Sequence, residues 1–191
     1  MSLSKKNPFH HPSFTLKNRL GRLCWSFVYV LLFRPSPRPL HGWRSFLLSC
    51  FGAKLGKKCH FYPKCRVWAP WNLECGNHVG VADEAEIYNP AKIVLDDYAT
   101  VSQGAYLCGA SHDVDDPDFP LIADEIYIGK QAWICARATV LMGVRVEDGA
   151  VLAINSLATK DLGTWVIYGG IPAHEIRKRR QNDTLLNTKQ I

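Results

Sequence analysis

Residues 128–158 read "IGKQAWICARATVLMGVRVEDGAVLAINSLA", and every sixth position is apolar: Ile128, Ile134, Val140, Val146, Leu152 and Ala158. A helix repeats every 3.6 residues and a half-buried strand every two, so a column at six fits no helix. It fits short strands joined by tight corners, each strand placing one inward residue. The same column runs upstream through Leu55, Phe61 and Val67, then Cys75, Val81 and Ile87, then Leu95, Val101 and Leu107. The place four residues after a lead is small or β-branched at Ala85, Ala99, Ala105, Ala132, Ala138, Val144 and Ala150.

The leads group in threes. Gly56, Gly76 and Gly129 directly follow the first lead of three triplets, and Asp96 and Glu147 hold that place in the other two. The steps "VWAPWNLE" and "IYNPAKIV" match, with Pro70 and Pro90 in the same position. Three sides make one turn, and turns stack at the parallel-strand spacing of about 4.8 Å, so five turns stand about 24 Å tall. Small residues are needed where a triangular interior narrows toward its corners. The predicted fold is all-β: a parallel β-helix of about five turns over 55–165. A basic N-terminal helical segment (1–54) precedes it, and a tail with a short helix (166–191) follows.

One stretch leaves the ladder. Leu107 closes the third triplet, the next lead is Ile128, and between them "SHDVDDPDFP" begins an acidic, proline-bearing loop predicted over 113–127. Long excursions from a compact domain are commonly functional, and His112 stands at the root of this one. Asp113 is a candidate to orient its ring, and Asp115, Asp116 and Asp118 could meet a hydroxylated ligand or simply be solvated.

The chain has 191 residues and a formal charge of +6, distributed unevenly. Residues 1–73 carry 13 basic and no acidic side chains, whereas 74–191 carry 10 basic and 17 acidic. "FTLKNRLGRLCWSFVYVLLF" (14–33) and "LHGWRSFLLSCF" (40–51) read as helices separated by the breaker "RPSPRP". They either cap the domain or lie against an anionic membrane surface. The apolar run 23–33 is too short to span a bilayer, which needs about 20 residues, and no cleavable signal is evident. No nucleic-acid motif accompanies the charge. Seven cysteines without a C-x-x-C pair suggest neither a disulfide frame nor a zinc knuckle, and are expected to be small buried residues in a reducing compartment.

In order along the chain, "LLFRPSP", "GWRSFLLSCFGAKLGK", "WAPWNLECGNH", "YLCGASHD", "AWICARATVLMGV" and "GGIPAHEIRKR" resemble the hexapeptide-repeat acetyltransferases. The resemblance is nearest to the colanic acid biosynthesis type, sugar O-acetyltransferases of bacterial exopolysaccharide. It implies that the parallel β-helix is left-handed, and that the protein is a homotrimeric, cytoplasmic enzyme, in contact with the inner membrane if the basic front end is used that way. The reaction implied is transfer of acetyl from acetyl-CoA to a sugar or glycan hydroxyl, on an acceptor that could be lipid-linked. It makes His112 the general base. Imidazole, with an ordinary pKa near 6.5, suits removal of a hydroxyl proton during attack on a thioester, and such help is worth about 10² to 10⁴ in rate.

For the donor, the resemblance points to Trp133, Ala136, Ile154, Thr159, Lys160, His174 and Arg177 along a groove between neighbouring prisms. The run "RKRR" could serve nucleotide phosphates or be a solvated end. Ile171 and His174 in "GGIPAH" depart from the family's usual Gly-Asn-Pro and longer basic residue, and "LAINSLATKDLG" lacks the usual following proline. Two other readings of the prism are a non-enzymatic scaffold and a zinc hydratase of the carbonic anhydrase kind. The latter needs three converging histidines, of which only His78 and His112 are plausible ladder ligands, and no H-x-x-x-x-H spacing occurs, so no metal is expected.

Overall fold

The structure, a computed structural model, describes Pro8 and residues 12–180. Three walls of short parallel strands wind into a left-handed β-helix of five complete coils and the start of a sixth. The first wall stacks Lys54–Leu55, Leu73–Cys75, Ile93–Leu95, Ile126–Ile128 and Arg145–Val146. The second stacks His60–Phe61, Gly80–Val81, Thr100–Val101, Trp133–Ile134, Val151–Leu152 and Val166–Gly169. The strand His174–Lys178 lies outermost on that wall. The third stacks Arg66–Val67, Glu86–Tyr88, Tyr106–Cys108, Thr139–Leu141 and Leu157–Ala158.

The sixfold columns are the registers of these walls. Leu55, Cys75, Leu95, Ile128 and Val146 pair in succession on the first wall. Phe61, Val81, Val101, Ile134 and Leu152 do so on the second, and Val67, Ile87, Leu107, Val140 and Ala158 on the third. All but the half-buried Leu55 are buried. Ala85, Ala99, Ala105, Ala132, Ala138 and Ala150 fill the narrow corners at 0% exposure. Gly129 serves close stacking: a Cβ there would sit 2.7 Å from the backbone nitrogen of Asp148 in the next coil.

A β-helix has two open ends, each a row of unpaired backbone groups. Alternate carbonyls of coil one face away from coil two, and the N-terminal helices receive those of Cys59, Phe61 and Val67. Helix α1 (Leu16–Val28) continues through a π-helical turn (Tyr29–Phe33), and α2 (His41–Cys50) follows the proline-rich breaker. The Trp25 indole donates to the Val67 carbonyl at 2.7 Å, Arg44 Nε to Phe61 at 2.6 Å, and Ser45 Oγ to Cys59 at 3.3 Å. Arg44 is fully buried, and its remaining donors reach Ser36 Oγ and the carbonyls of Pro37 and Arg38. Desolvation depresses its pKa, and the charge of nearby Asp83 offsets only part of that cost.

The short helix expected in the tail is not formed through Lys178; the rest of that expectation, 181–191, lies outside the described residues. Val166–Gly169 joins the second wall, and the chain reverses through Gly170 and Pro172 to run back antiparallel as His174–Lys178. An unpaired strand edge at the last coil offers ladder hydrogen bonds that a helix there would leave unused. Arg179 secures the return by donating to the carbonyls of Gln131 and Gly149, both at 2.9 Å.

The loop expected over 113–127 is also more ordered than its composition suggests. Ala110–His112 and Leu121–Ala123 form an antiparallel hairpin, and the first wall resumes at Ile126. The cysteine expectation holds in part. Cys59, Cys65 and Cys75 are buried, and burial raises the Cys65 pKa to about 12, but Cys24 and Cys50 are exposed on the outer sides of the helices. His10 and His11 lie outside the described residues.

Candidate active site

The hairpin carrying His112 emerges at the edge between the third and first walls, where coils one and two instead make the eight-residue steps noted above. Those steps are fixed by Asn89, which is fully buried and exchanges two hydrogen bonds with the Ala69 backbone at 2.9 and 2.8 Å. At coil three the same edge lets the chain out. Gly109 is needed there, because a Cβ would approach the Tyr88 carbonyl oxygen to 2.7 Å. Ala110, Leu121 and Ala123 are buried and pack with Phe14, Tyr88 and Ala91, so the hairpin is seated on the prism.

His112 is half-buried and held from two directions. Its Nδ1 lies 2.9 Å from the Phe119 carbonyl, and its ring stacks on the Phe119 ring at 4.4 Å with 4° between planes. A carbonyl only accepts, so Nδ1 carries the proton in the neutral ring and Nε2 keeps its lone pair. Phe119 takes a left-handed backbone (φ 45°) while its own N–H donates to Asp116. Such strain persists where surrounding contacts enforce it.

Phe119 was not among the residues singled out from the sequence. Asp113, the sequence candidate for orienting the ring, instead accepts the Asp115 N–H at 3.1 Å, and Asp116 likewise accepts from Asp118. Asp115 and Asp118 remain exposed on the loop.

The residues expected to hold the donor divide between two edges. Ala136 and Ile154 occupy successive coils at the edge between the second and third walls, linked by the Asn155 N–H to the Ala136 carbonyl at 3.1 Å. His174 pairs with Gly169 at the end of the second wall beside them, and Arg177 pairs with Ile167. Trp133 lies on that wall, 45% exposed, its indole N–H donating to Ser102 Oγ at 2.8 Å. Ser102, which fixes this ring, was also not anticipated. Thr159 and Lys160 follow the last strand of the third wall and share the third–first edge with His112, two coils away. Within one chain the third wall separates His112 from Ala136 and Ile154.

A cleft of about 770 Å³ lies elsewhere, between α1 and coils one and two, lined by Arg22, Tyr29, Arg66, Trp68 and Glu86 among others. His78 stacks on Tyr98 at 4.8 Å on the first–second edge, away from His112. Among the described residues no group of three His, Cys, Asp or Glu is placed to hold a metal ion.

No protein-family model matches the chain. It is 35% identical over 159 residues to WcaF of Escherichia coli K12, which bears the name of a colanic acid biosynthesis acetyltransferase; the match covers 83% of this chain and 87% of that one. The chain belongs to this family of hexapeptide-repeat acetyltransferases. Like the family, it is an acyltransferase.

A chloramphenicol acetyltransferase of Agrobacterium fabrum is 42% identical over 65 residues, covering 34% of this chain and 31% of its own. Among solved structures, a hexapeptide-repeat acetyltransferase of Vibrio cholerae superposes with TM-score 0.79 at 19% identity, covering 87% of this chain and 95% of that one. A galactoside acetyltransferase in complex with coenzyme A gives 0.80 at 20% identity, covering 90% and 86%. At these identities the two structures speak for the fold.

Proposed function

We propose that this acetyltransferase moves acetyl from acetyl-CoA to a sugar hydroxyl of a bacterial surface glycan or its precursor, with His112 as general base. The observation that carries the reading is the bond from His112 Nδ1 to the Phe119 carbonyl, which leaves Nε2 free to accept a proton. The acceptor hydroxyl passes its proton to Nε2 as its oxygen attacks the thioester carbonyl. The tetrahedral intermediate collapses with loss of the CoA thiolate, which takes the proton from the imidazolium. Proximity supplies much of the remaining acceleration. The nature of the acceptor is supported by the name of the E. coli relative, and that of the donor by solved complexes such as the galactoside enzyme with coenzyme A. Work on this donor suits the cytoplasm, where acetyl-CoA is made.

The assembly we propose is a homotrimer. His112 and the Ala136–Ile154 edge stand on opposite sides of the third wall, so a site using both needs the hairpin of one prism beside the donor edge of a neighbour. Trp133, Ala136, Ile154, His174 and Arg177 then line the donor groove, and Thr159 and Lys160 flank its far end.

Substituting His112→Ala is expected to lower acetyl transfer at least about 10²-fold while acetyl-CoA affinity stays within about twofold. Measuring both on one preparation, with acyl-CoA donors against a panel of oligosaccharides, tests the role. Full activity in the variant, or equal loss of donor binding, contradicts it.

A further inference from the structure

Among the described residues, nothing covers the outward side of α1. Leu16, Leu20, Leu23, Phe27 and Leu31 recur at spacings of four and three, all lying along one side, and each is 52–67% exposed. Phe46 of α2 is 56% exposed and stacks on Trp43, whose indole donates to the Leu32 carbonyl, so the apolar strip continues onto α2. The opposite side of α1 is committed to the prism through buried Trp25 and through Arg22, whose guanidinium lies 4.3 Å from the Trp68 ring.

Charge identifies what covers the strip. Exposed Lys17, Arg19 and Arg34 border it, and no carboxylate precedes Glu74. Lys17 and Arg19 stand near the N-terminus of α1, where a positive charge opposes the helix dipole, and the first turn carries no acidic residue. A second copy docking there would bring like charges together. An anionic lipid surface would satisfy both the apolar side chains and the basic border.

We infer that α1 and the adjoining face of α2 form an interfacial helix surface that binds the headgroup region of an anionic bilayer. No helix among the described residues is long and apolar enough to cross a membrane, so the contact is lateral. Phe14, just before α1, packs on Trp68 at 5.0 Å and against the hairpin of His112, so the docked helix holds that hairpin near the lipid surface. Resting on the acyl-transfer reading, this placement makes the acceptor a lipid-linked glycan.

Flotation of the full chain with vesicles tests the surface without using activity. Binding is expected to vesicles of phosphatidylcholine with phosphatidylglycerol, little to pure phosphatidylcholine, and less as salt rises. The pair Leu23→Glu and Phe27→Glu is expected to weaken it at least about tenfold. Lys17→Gln with Arg19→Gln, which disturbs no packing, is expected to weaken it about 25-fold, each basic residue contributing roughly fivefold. Oligomer mass by light scattering, and transfer to a soluble acceptor, should be unchanged in these variants. Failure to bind anionic vesicles at low salt, undiminished binding by both pairs, or a smaller assembly in the Leu23/Phe27 pair would overturn the inference. None of those results bears on whether His112 is the base.

Discussion

At His112 a single backbone carbonyl settles which nitrogen carries the proton, and in the proposed reaction this leaves Nε2 to the acceptor. The ring of Phe119 adds a flat surface that limits rotation about the side chain, so the same residue sets both tautomer and orientation. Phe119→Ala keeps the carbonyl and removes the stack. The expected result is roughly a tenfold lower kcat with little change in the KM for acetyl-CoA, since imprecise placement of a base costs rate more than donor binding. An unchanged kcat would show that the hydrogen bond alone positions the ring. The departure of the chain at His112 was legible because it interrupts a regular ladder, and the role proposed for the ring came from the family resemblance, but the partner of the ring was not legible. A main-chain carbonyl can come from any residue, and only the antiparallel return of the hairpin brings position 119 opposite 112.

At the scale of elements, each wall depends on one inward residue every six, so the columns could be read directly and every one is realised as a register. The end caps followed a different logic. Helices over 14–33 and 40–51 were readable from their apolar pattern and the breaker between them, but their task of receiving coil-one carbonyls depends on tertiary contact. The segment "HEIRKRR" has no strong strand alternation, and its extended form comes from the free edge it pairs with. Arg44 shows what such capping is worth. Replacing it by Met removes one donor from each of the Phe61, Pro37 and Arg38 carbonyls, leaving Phe61 with His41 Nδ1 and Pro37 with the Leu40 N–H, and is expected to destabilise the fold by about 3 kcal/mol. Urea unfolding should show a lower midpoint with an unchanged m-value. A loss below about 0.5 kcal/mol would mean the helices hold the first coil by apolar packing alone.

At the scale of the whole molecule, the proposed base and most of the residues proposed for the donor occupy different edges of one prism, so the proposed reaction depends on assembly. The proposed trimer is cyclic, so every seam pairs the third–first edge of one chain with the second–third edge of the next. Two defective chains can therefore complement one another. His112→Ala lacks the base but keeps its donor edge, and Ala136→Trp obstructs the donor edge but keeps His112. The decisive measurement is acetyl transfer by trimers refolded from an equal mixture of the two, compared with each variant alone. Random assembly gives about one seam in four with an intact base and an intact donor edge, so about a quarter of wild-type activity is expected from a mixture whose parents are both inactive. No recovery in mixed trimers of verified composition would contradict the account, placing base and donor within a single chain.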